Sequence, residues 1–195
     1  MQNNHVLNNM NSHPPTASVP VQNFLVLAAV GTNRPGLLDA ISKVVRDCGG
    51  SIADSRMTVL GCEFSLIMLL SGTWDVIAKI ENALPRLRDS LGLTVSLKRT
   101  EARKGGTNMI PYAVEVVSYD HPGIVFEIAS FFSSRNINIE DMYTSGYAAA
   151  HTGASMFSLH MTISMPSNTS IAALRGEFME FCDRLNLDSI LEPVK

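Results

Sequence analysis

The chain has 195 residues, of which 46% are hydrophobic and 17% charged, and a formal net charge of −3. That balance suits one large folded domain or two small ones and excludes a disordered chain. It also excludes a broad phosphate-binding surface, and the longest purely apolar run, Phe24–Val30, is too short to cross a bilayer as a helix.

Residues 1–22 (MQNNHVLNNMNSHPPTASVPVQ) read as a tail that is flexible to about residue 20. Asn and Pro crowd it, and it carries too little apolar matter to offset the entropy of its own ordering. It has no basic start and no apolar block, so no secretory signal is expected in it. The run FLVLAAV then predicts a strand, and TNRPGLL (Thr32–Leu38) opens a helix. The apolar stripe of that helix is Leu37, Leu38, Ile41, Val44 and Val45, the spacing of a helix with one buried face. Gly49-Gly50 ends it. Strands follow around Ile52 and over Phe64–Met68. A second helix carries Ile77, Ile80, Leu84, Leu87 and Leu91. Trp74 at its start is expected as a core or interface anchor. Pro85 inside it should kink or split it. A last strand ends near Arg99. The stretch TEARKGGTNMI, with its charges and paired glycines, reads as a linker.

The chain then repeats itself. YDHPGIV (Tyr119–Val125) follows a second strand, YAVEVVS, with its Pro 87 residues after the first. The five helix positions recur at that offset as Ile124, Val125, Ile128, Phe131 and Phe132, and Ile52 and Asp54 recur as Ile139 and Asp141. FSLIM recurs as FSLHM at Phe157–Met161, and the second helix recurs as Ile171, Leu174, Phe178, Phe181 and Leu185. The offset there has grown to 93 and then 94, which places six extra residues near YAAAHTGA, a hairpin tip where length is tolerated.

One strand–helix–strand–strand–helix–strand unit is therefore used twice. The fold class is α+β: two tandem ferredoxin-like βαββαβ domains, each an antiparallel sheet with both helices on one face. The expected boundaries are a tail at 1–22, a first domain at 23–99, a linker at 100–109 and a second domain at 110–195.

The repeated phrase has two readings. Pro in a first helical turn, behind a polar residue, is an ordinary helix start. Alternatively, the amides that follow it meet the positive end of the helix dipole and hold a small carboxylate, while Asn33 or Asp120 accepts hydrogen bonds from an ammonium group. Crowding by Leu37 or Ile124 would then favour a small ligand.

Few other chemical constellations are present. There is no nucleophile motif, phosphate loop or metal-binding helix pattern, so no catalysis, cofactor or metal is expected. His121 beside Asp120 reads as loop polarity, and His160 as a residue on the polar side of a strand. Cys48, Cys62 and Cys182 lack a CxxC pair and read as reduced, buried apolar side chains. Lys98, Arg99, Arg103 and Lys104 form the one basic cluster; it reads as a solvated linker, and direct sequence-specific DNA binding is not expected.

The [N/D]-x-P-G phrase between strand and helix, in a βαββαβ unit, resembles the ACT domain, a regulatory module of amino-acid metabolism. Two copies with little else, and a longer second hairpin at Tyr147–Gly153 followed by SMFSLHMTISMP, resemble the glycine cleavage system transcriptional repressor family. The resemblance covers residues 23–195. It implies a cytoplasmic, non-catalytic sensor of a small amino acid, most simply glycine, acting as a co-repressor through a partner transcription activator. It equally permits a regulatory subunit of an amino-acid enzyme. It implies homo-oligomers through pairing of ACT domains, and no membrane. Carried over by position, it places ligand on Asn33, Arg34, Pro35, Gly36 and Leu37, and on Asp120, His121, Pro122, Gly123 and Ile124. Asn136 and Asn138, at the start of the second strand, join the second set. The first copy has Gly49 and Ser51 there, so the two copies are not expected to bind equally.

Overall fold

A computed structural model describes residues 22–103 and 108–194. The elements are β1 (Asn23–Thr32), α1 (Leu37–Asp47), β2 (Ser51–Leu60), β3 (Glu63–Gly72), α2 (Trp74–Leu91) and β4 (Thr94–Thr100). They recur as β5 (Met109–Tyr119), α3 (Ile124–Ser133), β6 (Asn138–Ala148), β7 (Ser155–Pro166), α4 (Ile171–Arg184) and β8 (Asp188–Pro193). The chain divides into two compact units between residues 104 and 105. The sheets are ordered β2-β3-β1-β4 and β6-β7-β5-β8, and every pairing is antiparallel. This is the ferredoxin-like arrangement, twice.

The period of two along the central strand explains each core. Leu25, Leu27 and Ala29 turn one way and are fully buried, together with Leu66, Met68 and Leu70 of β3. Against them α1 presents Leu37, Ile41 and Val45, and α2 presents Ile77, Ile80 and Leu84. Leu38, also on the predicted stripe, is instead exposed. The second unit fills the same layer with larger groups. Where the first has Val44, Val45, Leu84 and Leu87, the second has Phe131, Phe132, Phe178 and Phe181. The Phe131 and Phe132 rings meet edge to face with centroids 5.2 Å apart, an arrangement that adds to simple burial.

Several expectations need correction. Helix α2 runs unbroken through Pro85 as an 18-residue element, and Pro85 is exposed. Trp74 is 64% exposed and therefore not in the core. The Arg99 guanidinium lies 5.8 Å from its ring centroid and forks onto Glu81 at 2.9 and 2.7 Å. Lys98 and Arg99 thus belong to β4 and not to a linker; Lys104 falls outside the described residues, as does the tail up to residue 21. Strand β4 extends to Thr100, and β5 already begins at Met109. Cys182 is buried and Cys48 half-buried, but Cys62 is exposed at the β2–β3 turn. The longer second hairpin lies where length was expected, with residues 149–154 linking β6 to β7 against Gly61 and Cys62 in the first unit.

Candidate functional site

Both repeated phrases leave the central strand of a sheet and start a helix. The strand end fixes their position. Asn33 N–H donates to Cys62 O at 2.9 Å, and Asp120 N–H donates to Ser155 O at 3.0 Å. Each loop is thereby tied to the hairpin beside it.

After the proline the backbone turns left-handed. Gly36 has φ 91° and Gly123 has φ 103°, and each is the N-cap of its helix. Only glycine adopts this conformation at little cost. Among the described residues no side chain caps either helix, so the first-turn amides, which have no acceptor within a helix, carry no cap from those side chains. A methyl group added at either glycine would meet nothing within 4 Å. There is open space on that side of each loop. The first turns also carry Asp39 and Glu127, whose charges already favour the helix dipole and which an incoming carboxylate would face.

The other predicted residues divide by role. Asn33, Pro35, Asp120 and Pro122 are exposed. Arg34 reaches 57 positions along the chain to donate to Leu91 O at 2.8 Å, which caps the C-terminal end of α2. His121 Nδ1 lies 3.2 Å from Pro122 O. Leu37 and Ile124 are 2% exposed and sit in the cores of their own units. Their side chains do not crowd the open side of the loop, so the selectivity expected of them has no basis in this geometry. What they offer outward is a backbone amide. Both residues head an apolar helix stripe, which was the signal for their burial.

Asn136 and Asn138 lie elsewhere. Asn136 has φ 57° and closes the C-terminal end of α3, with its N–H donating to Ser133 O at 3.0 Å. Its counterpart Gly49 has φ 81° and closes α1 in the same way, donating to Arg46 O at 2.8 Å. Gly and Asn are the two residues that tolerate this left-handed cap, which explains the exchange between copies without a ligand. Asn138 Nδ2 donates to Glu140 Oε1 at 3.0 Å. The two asparagines line a hollow of about 380 Å³ with Ala129, Ser133, Ile137 and Ile139. The 10 residues of α3 separate Asn136 and Asn138 from Gly123, a distance of about 15 Å along the axis, although the hollow itself reaches back along the helix as far as Ala129. Within one unit, then, the asparagines and the helix start do not form one site.

A difference between the copies was missed in the sequence. Beside the second loop, Tyr119 and Phe126 are each 70% exposed. Thr32 and Asp39 hold those positions in the first copy. The signal was available, since Phe126 falls off the apolar stripe of α3.

Residues 23–98 match the ACT domain family. A protein from Escherichia coli strain K12, the glycine cleavage system transcriptional repressor, is 32% identical over 173 residues, covering 89% of this chain and 91% of its own. A crystal structure of a protein assigned as a glycine cleavage system transcriptional repressor superposes with a TM-score of 0.70 at 30% identity, covering 90% of this chain and 99% of that one. An unknown protein from Galdieria sulphuraria shares the fold at a TM-score of 0.73 and 21% identity, covering 90% of this chain and all of that one.

Proposed function

This chain belongs to the glycine cleavage system transcriptional repressor family, and from that premise we propose that it is a cytoplasmic, non-catalytic sensor of a small amino acid that restrains glycine cleavage genes through a partner transcription activator. The observation that carries the ligand reading is the pair of helix starts, each opened by a left-handed glycine, facing open space and, among the described residues, capped by no side chain. The amides after Pro122 take the carboxylate of glycine, and Asp120 takes its ammonium group. The Asn33–Gly36 loop is the second site. Amides near a helix N-terminus favour an anion, and a carboxylate partner for the ammonium restricts the ligand to one with both charges.

Calorimetry and thermal denaturation with a panel of amino acids test this. At about 100 times its dissociation constant, a ligand of the native state alone raises stability by about 2.7 kcal/mol. Glycine should give the largest shift, and Asp120→Ala should reduce it. If no amino acid moves the transition, or Asp120→Ala responds as the wild type does, the phrase is a helix start and nothing more. Affinity capture with the full chain should recover a transcription activator; recovery of an amino-acid enzyme in its place would convert the reading to a regulatory subunit.

A further inference from the structure

The helices cover one face of each sheet. The other face of the first sheet has an unusual lining. Register places Val26 opposite Leu69 and Ala28 opposite Ile67, and these side chains point away from the helices because the alternate positions fill the core. A sheet face turned to water ordinarily alternates to polar residues. At these four positions it stays aliphatic, with Ile67 49% exposed, while β4 sets Lys98 opposite Val26 and Ser96 opposite Ala28 on the same face. In the second unit the same positions hold Ala113, Glu115, His160 and Thr162. There Glu115 Oε1 lies 3.7 Å from His160 Nδ1, and Tyr143 stacks on the imidazole at 4.6 Å. The fold therefore does not require aliphatic residues at these places.

The aliphatic floor is walled by charge. A β-bulge between Ile52 and Asp54 shifts the register of β2, after which Asp54 pairs with Leu69 and Arg56 with Ile67. Residues paired across strands share a face, so both charged side chains stand over the floor. Arg56 Nη1 donates to Asp54 Oδ1 at 2.6 Å, and the Ser55 amide donates to the same oxygen at 2.7 Å. These contacts, Arg56 first, hold the Asp54 carboxyl ionised below its ordinary range. Thr100 at the end of β4, with Glu101 and Arg103 beyond it, lines the far side of a cavity of about 290 Å³. That is near the lower end of the size of small-ligand pockets, about 300–1,000 Å³.

We propose that this cavity binds a free α-amino acid with a branched aliphatic side chain. The ammonium group sits on Asp54, the carboxylate takes two N–H donors of the Arg56 guanidinium, and the side chain lies on Val26, Ile67 and Leu69. The chemistry is complementary at each end. A guanidinium fork matches a carboxylate, a carboxylate matches an ammonium, and the floor contributes through removal of apolar surface from water. The ligand inserts into an existing ion pair, so neither charge is left without a partner. Glycine, which has no side chain to cover the floor, is not the ligand here. The cavity shares no lining residue with the helix starts at Gly36 and Gly123.

The test is isothermal calorimetry of leucine with the full-length protein, alongside isovalerate and isoamylamine, each of which lacks one charged group. Leucine should bind the first unit in a way that glycine does not displace, and each one-charge analogue should bind at least about ten-fold more weakly. Arg56→Gln, Asp54→Asn and Leu69→Ser should each weaken leucine by about ten-fold or more, whereas Asp120→Ala should leave it unchanged. Arg56 and Asp54 are 68% and 60% exposed, so their variants are expected to fold, and far-ultraviolet circular dichroism checks this. Absence of leucine binding up to about 10 mM, or binding that survives both charge variants, overturns the proposal. Leucine binding that Asp120→Ala removes and Arg56→Gln retains assigns leucine to the helix start and also overturns it. Failure here leaves the glycine reading standing, since no residue is shared between the two sites.

Discussion

The same substitution, glycine to alanine, should have opposite effects at two positions of the second unit. Gly123 starts α3 with φ 103° and ψ −13°, and an added Cβ meets nothing within 4 Å. Steric contact with neighbours therefore contributes nothing, and the cost is that of holding an L-residue left-handed, about 1–2 kcal/mol. Gly176 lies inside α4, is exposed, and also has nothing within 4 Å of an added Cβ, but its φ is not positive. There alanine should stabilise by about 1 kcal/mol, the usual difference in helix propensity. The two variants should thus differ by about 2–3 kcal/mol. For a domain of 60–100 residues, each kcal/mol moves the melting temperature by about 4–8 °C. Both positions are in one unit, so a single thermal or urea transition of that unit reads both. Gly123→Asn should fall between wild type and Gly123→Ala, because asparagine tolerates the left-handed region. If Gly123→Ala proves neutral or stabilising, the helix does not begin on a left-handed residue, and the exposed amides at the candidate site lose their geometric basis. The same result bears on function. Gly123 variants disturb stability as well as the amides, so Asp120→Ala is the cleaner probe of ligand binding.

Pro85→Ala should stabilise the first unit, by up to about 3 kcal/mol in urea denaturation, because Pro85 occupies an exposed interior position of an unbroken helix; a destabilised variant would show that the ring packs. The Arg99 fork holds the Glu81 carboxyl below its ordinary value of 4.5. Its stabilisation, at most about 1 kcal/mol for a partly exposed pair, is present above that value and lost as pH falls through the lower folded value, so Glu81→Gln should narrow the stability gap to wild type on acidification. A thiol reagent at neutral pH should label Cys62 in the native state and leave Cys182 unmodified until unfolding, since Cys62 is exposed while burial covers Cys182 and raises its pKa; peptide mapping reads the order. Phe132→Ala removes a fully buried ring from the aromatic cluster and should cost about 3–5 kcal/mol, measured by chemical denaturation; a loss under about 1 kcal/mol would show that the four phenylalanines do not carry this core.

The repeat, the order of elements and most of each core were determined by sequence alone. Offsets of 87, 93 and 94 align two copies without reference to coordinates, and a period of 3.6 or 2 states which residues share a face. That information is local, since it comes from the geometry of one helix or strand about its own axis. It also contained the burial of Leu37 and Ile124, which head their stripes. The roles of other residues arose only when elements packed. Arg34 finds its acceptor at Leu91, Arg99 finds Glu81 across 18 positions, and Asn136 is a helix cap because the chain must turn left-handed to enter β6. The β2 bulge rotates Asp54 and Arg56 onto an aliphatic floor supplied by β1 and β3. A side chain's partner is set by what lies across from it in space, and periodicity along one element does not encode the neighbouring element's register or the direction in which its loops leave. The sequence therefore determined which faces are apolar; the tertiary structure decided which of those faces the helices cover and which one stays open beside a pair of opposite charges.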